Sequence, residues 1–312
     1  MQITSWNCRG LGIPSKANAV KDLIKMDSSD LLLLQDTTKD EYSLLLLSNS
    51  NWKLNSGKAV SARGTCGGLT TLWSEEKFHL KRWFVSQHWI FTELFHLLSK
   101  LTLALFNLYV PVNFVEKKEC WKSLVDFFDV NSPLNSIIAG DLNITLAPNE
   151  KKGGVIGKDF FQDSVEALIQ TWHLIDFKPK KGRYTWSNNR IGAANIAAHL
   201  DRFLVSSSLL VDNSVISSKI LLKLSSDHHP ISLVIEEEED LGPIPFHFRH
   251  LWIDRDGFFD TVVQAWVQYV VESPFYVWEQ KLKNTKFALK NWIKNPEITP
   301  TSNRQSRFIE LS

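Results

Sequence analysis

Leu31-Leu32-Leu33-Leu34-Gln35-Asp36 is four leucines closed by two polar residues. A strand with one wet face alternates apolar and polar side chains. An unbroken apolar run this short is expected of a strand buried on both faces. The pattern returns in Ser136-Ile137-Ile138-Ala139, which runs into Gly140-Asp141-Leu142-Asn143. It returns in reverse order where Ser226-Asp227-His228 precedes His229-Pro230-Ile231-Ser232-Leu233. Each stretch delivers an acid and a hydrogen-bonding partner at a strand edge. Brought together, these residues supply carboxylates for a hard divalent cation, an amide, and an imidazole to handle a water. Metal-assisted phosphodiester hydrolysis needs that set. An Asp-x-Asn after a strand is by itself commonly a turn, so the rest of the chain has to carry the reading.

Outward from these runs, the first 235 residues alternate strand-like and helix-like segments. Gln2 to Asn7 alternates as a strand and opens into Gly10-Leu11-Gly12, and Ser15 is placed to cap a helix through Lys25. Gly67 to Trp73 is expected as a strand, with Trp83 to Ile90 and Thr102 to Tyr109 continuing the sheet. Glu116 to Asp129 is expected as a helix, with Trp121, Leu124, Val125 and Phe128 on one side, and Phe160 to Trp172 as the next. Tyr184-Thr185-Trp186-Ser187 leads into a hairpin at Asn188-Asn189. His199 to Val205 and Ile231 to Ile235 are expected as the last strands. Gly64 to Gly68 lacks Gly-Lys-Ser/Thr, so it is a turn and not a nucleotide-phosphate loop. These segments define a domain over residues 1–238. A linker over 239–255 opens with the acidic run Glu236 to Asp240 and Gly242-Pro243-Ile244-Pro245. Apolar residues at helical spacing then predict helices over about 256–272 and 274–294, within a segment 256–295 flanked by lysines. Residues 296–312 read as a disordered tail.

Composition narrows the class. A formal net charge of +1 gives no global drive toward nucleic acid, so any such binding needs local basic patches. Twelve tryptophans fit layered sheet packing. Cys8, Cys66 and Cys120 lie far apart without metal-ligand spacing, which excludes a disulfide framework and fits a reducing intracellular compartment. The first residues lack the apolar core of a signal peptide. The greasy stretch from Phe91 to Val110 is broken by Glu93, His96 and Lys100, so no membrane span is expected.

Five strand ends carry polar residues that a plain scaffold would not need: Asn7, Gln35 with Asp36, Tyr109 before Val110-Pro111, Asp141 with Asn143, and Asp227 with His228. Asp201 joins them within His199-Leu200-Asp201-Arg202-Phe203-Leu204. In this order and spacing the set resembles the endonuclease/exonuclease/phosphatase superfamily, over nearly all of residues 1–235. The closer resemblance is to the endonuclease domain of plant LINE-type non-LTR retrotransposons. It rests on Ser5-Trp6-Asn7-Cys8-Arg9-Gly10-Leu11-Gly12, on Gly140 to Asn143 running into Glu150-Lys151-Lys152-Gly153-Gly154, on Tyr184 to Asn188, and on Leu200 to Ser206. Phe246 to Lys294 also looks like the segment that joins such an endonuclease to its reverse transcriptase. No Tyr/Phe-x-Asp-Asp motif of that polymerase is present, so a truncated or repurposed element is expected.

The resemblance implies an α/β (α+β) fold: a four-layered sandwich of two mostly antiparallel β-sheets flanked by helices, with a C-terminal helical appendage. It implies Mg²⁺ or Mn²⁺ held by Asp36, with Asn7 and Asp227 in or beside the coordination shell. Asp141 would position or deprotonate the attacking water, and Asn143 would hold a phosphate oxygen. His228, paired with Asp201, would stabilise the charge on the transition state, and Tyr109 would add a phenolic hydrogen bond. Without the family, Asp201-Arg202 would read as a surface ion pair of little energetic weight. His229, adjacent to His228 on an extended segment, points elsewhere. One position departs from the superfamily, which has Glu where this chain has Asp36. The missing methylene retracts the carboxylate by about 1.5 Å, whereas working sites tolerate about 0.5 Å of displacement. Charge survives, so impairment is expected and not abolition.

Three functions follow. The first is a Mg²⁺- or Mn²⁺-dependent endonuclease that nicks DNA in the nucleus and leaves a 3′-hydroxyl. The second is a weakened or inactive remnant acting as a binding module. The third is a phosphatase acting on a small phosphate ester, since one fold hosts many activities. Oligomeric state and target sequence are not legible in one sequence.

Overall fold

The computed structural model describes residues 1–12, 14–43, 54–64, 67–155, 157–210, 214–237, 248, 252–253, 255–270 and 272–294. The chain divides into two compact units, Met1–Glu239 and Asp240–Ser312.

In the first unit, β1 (Gln2–Asn7), β2 (Leu31–Gln35), β3 (Ser56–Val60), β4 (Leu69–Trp73), β14 (Ser214–Ile220) and β15 (Ile231–Glu237) form one sheet in the order β14-β15-β1-β2-β4-β3. A second sheet is built from β5 (Phe78–Val85), β6 (Trp89–His96), β7 (Thr102–Tyr109), β8 (Ser136–Asp141), β10 (Leu174–Asp176) and β13 (Asp201–Ser206), ordered β10-β13-β8-β7-β6-β5. β9 (Lys151–Lys152), β11 (Trp186–Ser187) and β12 (Ala197–Ala198) make a small third sheet. Among the described pairs in the two large sheets, β1 with β2 and β7 with β8 run parallel and the others antiparallel.

The leucine run shows why the layers form. Leu31 and Leu33, with Ile3, face the second sheet and meet Leu103, Leu105, Ile137, Ala139 and Phe203. Leu32 and Leu34, with Trp6, face the other way and pack under α1 (Pro14–Asp27) through Val20, Leu23 and Ile24. Neither face meets water, so no polar residue interrupts the run, and each leucine contributes about 1.5–3 kcal/mol of burial. The outer face of the second sheet is covered by α2 (Phe114–Asn131) and α3 (Gln162–Thr171), where Trp121, Leu124, Phe128 and Val165 pack on Phe106, Leu108 and Ile138. Asn113 caps α2 by accepting from the Val115 and Glu116 N–H groups. The result is helix, sheet, sheet, helix.

Several elements differ from the sequence expectation. Trp83 to Ile90 is not one strand. β5 ends at Val85 and β6 starts at Trp89, with Ser86 N–H donating to Trp89 O at 2.8 Å. The turn hides because Phe84 stacks on Trp89 across it, ring centroids 5.3 Å apart, so the aromatic pattern never breaks. The hairpin after Ser187 returns at Ala197, and its loop is longer than Asn188-Asn189, with Asn188 N–H reaching Ile196 O. The strand expected from His199 begins at Asp201. In the second unit α4 (Phe258–Trp266) stops short of 272, and α5 covers Pro274–Lys294. Most of the 239–255 linker, all of the 296–312 tail, and Thr65 and Cys66 lie outside the described residues. Cys8 and Cys120 are free and buried, and burial pushes both thiols up to about 12. No helix among the described residues is long and apolar enough to cross a membrane.

Gly140 controls how close β7 and β8 approach. Its φ is +141°, and a Cβ there would sit 1.9 Å from the Leu108 carbonyl oxygen, its register partner in β7. Gly140→Ala is therefore expected to cost at least about 1–3 kcal/mol. That lowers the thermal midpoint by roughly 2–4 °C per kcal/mol. An unchanged midpoint by circular dichroism would refute the close approach.

Candidate active site

Strand direction gathers the polar strand ends. β1 and β2 run parallel and finish together, with Asn7 opposite Gln35. β7 and β8 also run parallel and place Tyr109 opposite Asp141, and antiparallel β13 begins at Asp201, again opposite Asp141. The loop entering β15 brings Asp227 and His228 to the same edge, where His228 bridges to Trp186. Residues from both large sheets thus meet between them.

Asp141 is the centre of the cluster. Asn7 Nδ2 donates to its Oδ2 at 2.8 Å, Asn143 Nδ2 to the same oxygen at 3.2 Å, and the Asn143 N–H to Oδ1 at 2.9 Å. His228 Nδ1 lies 2.9 Å from Asp201 Oδ2, while its Nε2 stands 3.8 Å from Asp141 Oδ2 and 3.5 Å from Asn7 Nδ2. Asn7, Asp141, Asp201 and His228 are buried to 3 % exposure or less, and Asn143 is half-buried. Burial, with Asp201 close by and His228 opposing, lifts the Asp141 carboxyl to about 6. Burial disfavours the charged form of His228, but the Asp201 and Asp141 carboxylates outweigh it and raise the ring to about 9. At neutral pH the ring is an imidazolium whose Nδ1–H is committed to Asp201. Its Nε2–H faces Asp141 Oδ2 from 3.8 Å, beyond hydrogen-bond distance.

Residues without an assigned role in the sequence hold this cluster in place. Ser226 Oγ donates to Asn7 O at 2.8 Å and accepts the His228 N–H at 3.1 Å, while Trp6 Nε1 donates to His228 O. Thr185 Oγ1 accepts the N–H groups of both Leu200 and Asp201 at 3.0 Å. Buried Lys117, on α2, donates to Asn143 O at 2.9 Å and steadies the turn after Asp141. A serine two residues before a histidine is a local turn signal. The Thr185 and Lys117 contacts depend on strand register and helix docking, and no local pattern announces them.

The remaining expected site residues, and the neighbours His229 and Arg202 expected outside the site, lie as follows. Asn143 spends its amide hydrogens on Val110 O and Asp141, in a left-handed conformation with φ 47°. Asp227 Oδ2 accepts from Arg9 Nη1 at 3.0 Å and Trp186 Nε1 at 2.9 Å, and its charge adds to those that favour the protonated His228 ring. Asp36, also left-handed at φ 49°, accepts the Gly67 N–H at 2.8 Å. His229 turns to Leu221 O. Asp201 and Arg202 do not form a surface pair: alternation along β13 sends them to opposite faces, and Arg202 is buried against Glu150 and Asp176.

Among the described residues, Asp141, Asp201 and His228 bring ligand atoms within 4.8 Å of one another, a set compatible with a divalent cation once His228 gives up its Nε2 proton. Asp36, Asp227 and Asn7 are hard oxygen donors of the kind Mg²⁺ prefers. Asp36 and Asn7 each accept a hydrogen bond on one oxygen, and Asp227 accepts two on Oδ2 and a long one on Oδ1, which keeps a further lone pair. The donor chemistry fits.

The same fold is found in solved structures. The 3′-5′ exonuclease NExo of Neisseria meningitidis superposes with TM-score 0.57 at 18% identity, over 76% of this chain and 100% of that one. The endonuclease domain of TRAS1, a telomere-specific non-LTR retrotransposon, gives 0.56 at 12% identity, over 76% and 99%. Danio rerio TDP2 complexed with single-stranded DNA product gives 0.55 at 17%, over 76% and 98%. No curated protein matches the chain by sequence. Residues 4–228 match the Endonuclease/Exonuclease/phosphatase family, a span that contains every site residue above, and the chain belongs to that family.

Proposed function

We propose that this chain is a divalent-metal-dependent phosphodiesterase that nicks DNA, an endonuclease of the non-LTR retrotransposon kind. The observation that carries it is the buried relay Asn7–Asp141 beside His228–Asp201, which sets a carboxylate of raised pKa next to an imidazolium. A base near neutrality and a charged donor a few ångströms apart suit attack of water on a phosphodiester. The water oxygen bonds to phosphorus, its proton passes to Asp141, the P–O3′ bond breaks, and the departing 3′-oxygen takes a proton from solvent to become the 3′-hydroxyl. His228 Nε2–H donates to the developing negative charge, and Asp201 holds the ring's orientation and charge. Asn7 fixes the Asp141 carboxylate. Asn143 anchors the turn and reaches a phosphate oxygen by giving up Val110 O or the longer bond to Asp141 Oδ2. Tyr109 adds a phenolic contact. A divalent cation at Asp36, Asn7 and Asp227, when bound, offsets charge on a phosphoryl oxygen. The retrotransposon assignment draws on the Ser5–Gly12, Tyr184–Asn188 and Leu200–Ser206 stretches.

Asp36 favours a second reading, a catalytically weakened binding module. Its shortened carboxylate is held by Gly67 N–H and stays outside the Asp141–Asp201–His228 group. Supercoiled-plasmid nicking with Mg²⁺ or Mn²⁺ separates the two readings. The endonuclease reading expects nicking by the natural chain, lost in His228→Ala and raised severalfold in Asp36→Glu. Nicking by Asp36→Glu alone establishes the weakened module. Hydrolysis of a small phosphate ester without nicking moves the activity to phosphatase chemistry.

The imidazolium also sets a pH limit. Because His228 ionises near 9, nicking is expected to hold through neutral pH and fall as pH rises through about 9. A rate still climbing at pH 10 would exclude His228 as a charged donor.

A further inference from the structure

The second unit carries an exposed surface unrelated to the site above. On α5, Phe275 is 77% exposed and Phe287 66%, and Tyr276 is also open. The helix has five lysines and one glutamate, and Lys283, Lys286 and Lys290 face solvent. Its inner side is a different set of residues: Leu289 is buried, and Trp292 meets Phe258 of α4 edge-on at 5.9 Å. At 3.6 residues per turn, Tyr276, Lys283, Phe287 and Lys290 share one strip, and Phe275 and Lys286 the strip beside it; Glu279 lies between the two and pairs with Lys283 at 2.9 Å, an exposed contact of little energetic weight that a phosphate can displace. Rings and ammonium groups therefore alternate along the same face.

That interleaving discriminates between partners. A helix lying in a membrane interface segregates its charges from its rings on opposite faces. The buried centre of a protein–protein interface is depleted in lysine. A face mixing both suits a ligand that is polyanionic and offers open π surfaces, which is an unpaired nucleic-acid strand. Such strands bind by stacking bases on aromatic side chains while basic residues follow the backbone. We propose that α5 binds single-stranded nucleic acid, with Lys283, Lys286 and Lys290 on phosphates and Phe275, Tyr276 and Phe287 against bases. This does not depend on the endonuclease reading.

The test is fluorescence anisotropy of a labelled 20-nucleotide oligo(dT) with the full chain in EDTA, which stops any cleavage. Tyr276→Ala/Phe287→Ala should weaken binding at least about thirtyfold. Lys283→Gln/Lys286→Gln/Lys290→Gln should weaken it at least as much and reduce the log–log salt slope by about two. All these side chains are exposed, so both variants should keep the native circular dichroism spectrum. Unchanged oligonucleotide affinity in both variants overturns the proposal. So does a pattern in which they instead release the chain from phosphatidylserine vesicles, or dissociate a dimer in sedimentation, with oligonucleotide binding intact.

Discussion

Asp141→Asn is expected to reduce plasmid nicking by about 10²–10⁴ while leaving the thermal midpoint within a few degrees. The side chains are nearly isosteric, so packing survives. The base does not. The substitution also disturbs the hydrogen bonds: Oδ2 of Asp141 accepts from two amide nitrogens, Asn7 Nδ2 and Asn143 Nδ2, and an NH₂ group in its place would face both as another donor. Oδ1 still receives the Asn143 N–H, so the turn is held. Removing a buried carboxylate whose ionisation burial already opposes costs the fold little. Quantitative nicking beside a melting curve checks both halves. A rate within a few fold of the natural chain would take Asp141 out of the chemistry.

Arg202→Met should do the reverse. Arg202 is 1 % exposed and its guanidinium meets Glu150, Asp176 at 2.8 Å, and the carbonyl oxygens of Ile144 and His199. Truncating one member of a buried ion pair strands the other, at about 3–5 kcal/mol. The midpoint should fall by roughly 2–4 °C per kcal/mol. A pH signature accompanies it. Burial disfavours the Glu150 carboxylate, but Arg202 overrides this and, with Lys178, holds the group down at about 2 instead of the ordinary 4.5. A carboxyl depressed in the folded state stabilises fully above its unfolded pKa, and that contribution disappears as pH falls from about 4.5 toward 2. The natural protein should lose stability steeply across that window, and Arg202→Met should lose less. Equal acid profiles for the two proteins would show that Glu150 does not depend on Arg202.

Much of this was legible because polar residues that close apolar runs have few uses in a core. Asn7, Asp141, Asp201 and His228 were visible that way; Asn7 and Asp141 end strands of the two parallel pairs, and antiparallel β13 sets Asp201 opposite Asp141. What escaped depends on contacts between sheets or on weak local patterning. Gln35 Nε2 donates to Asn107 Oδ1 across the sandwich at 2.7 Å, and nothing near Asn107 in the sequence marks it. β14, with Ser214, Ser217 and Ser218, lies at the edge of its sheet, where the apolar signal is thin. The turn between β5 and β6 uses Ser86-Gln87-His88 and has neither glycine nor proline. The orientation of Asp36 toward Gly67 is set by a left-handed backbone that composition does not encode.

The groups proposed to act on phosphate are divided: Asn7 and His228 belong to one sheet and its entry loop, Asp141 and Asp201 to the other. On that proposal neither half owns a complete water-activating set, and competence is a property of the seam. Mild denaturant that lets the two halves slip should silence turnover before any helix unwinds. Inactivation would then be an early reporter of loosening in the sandwich.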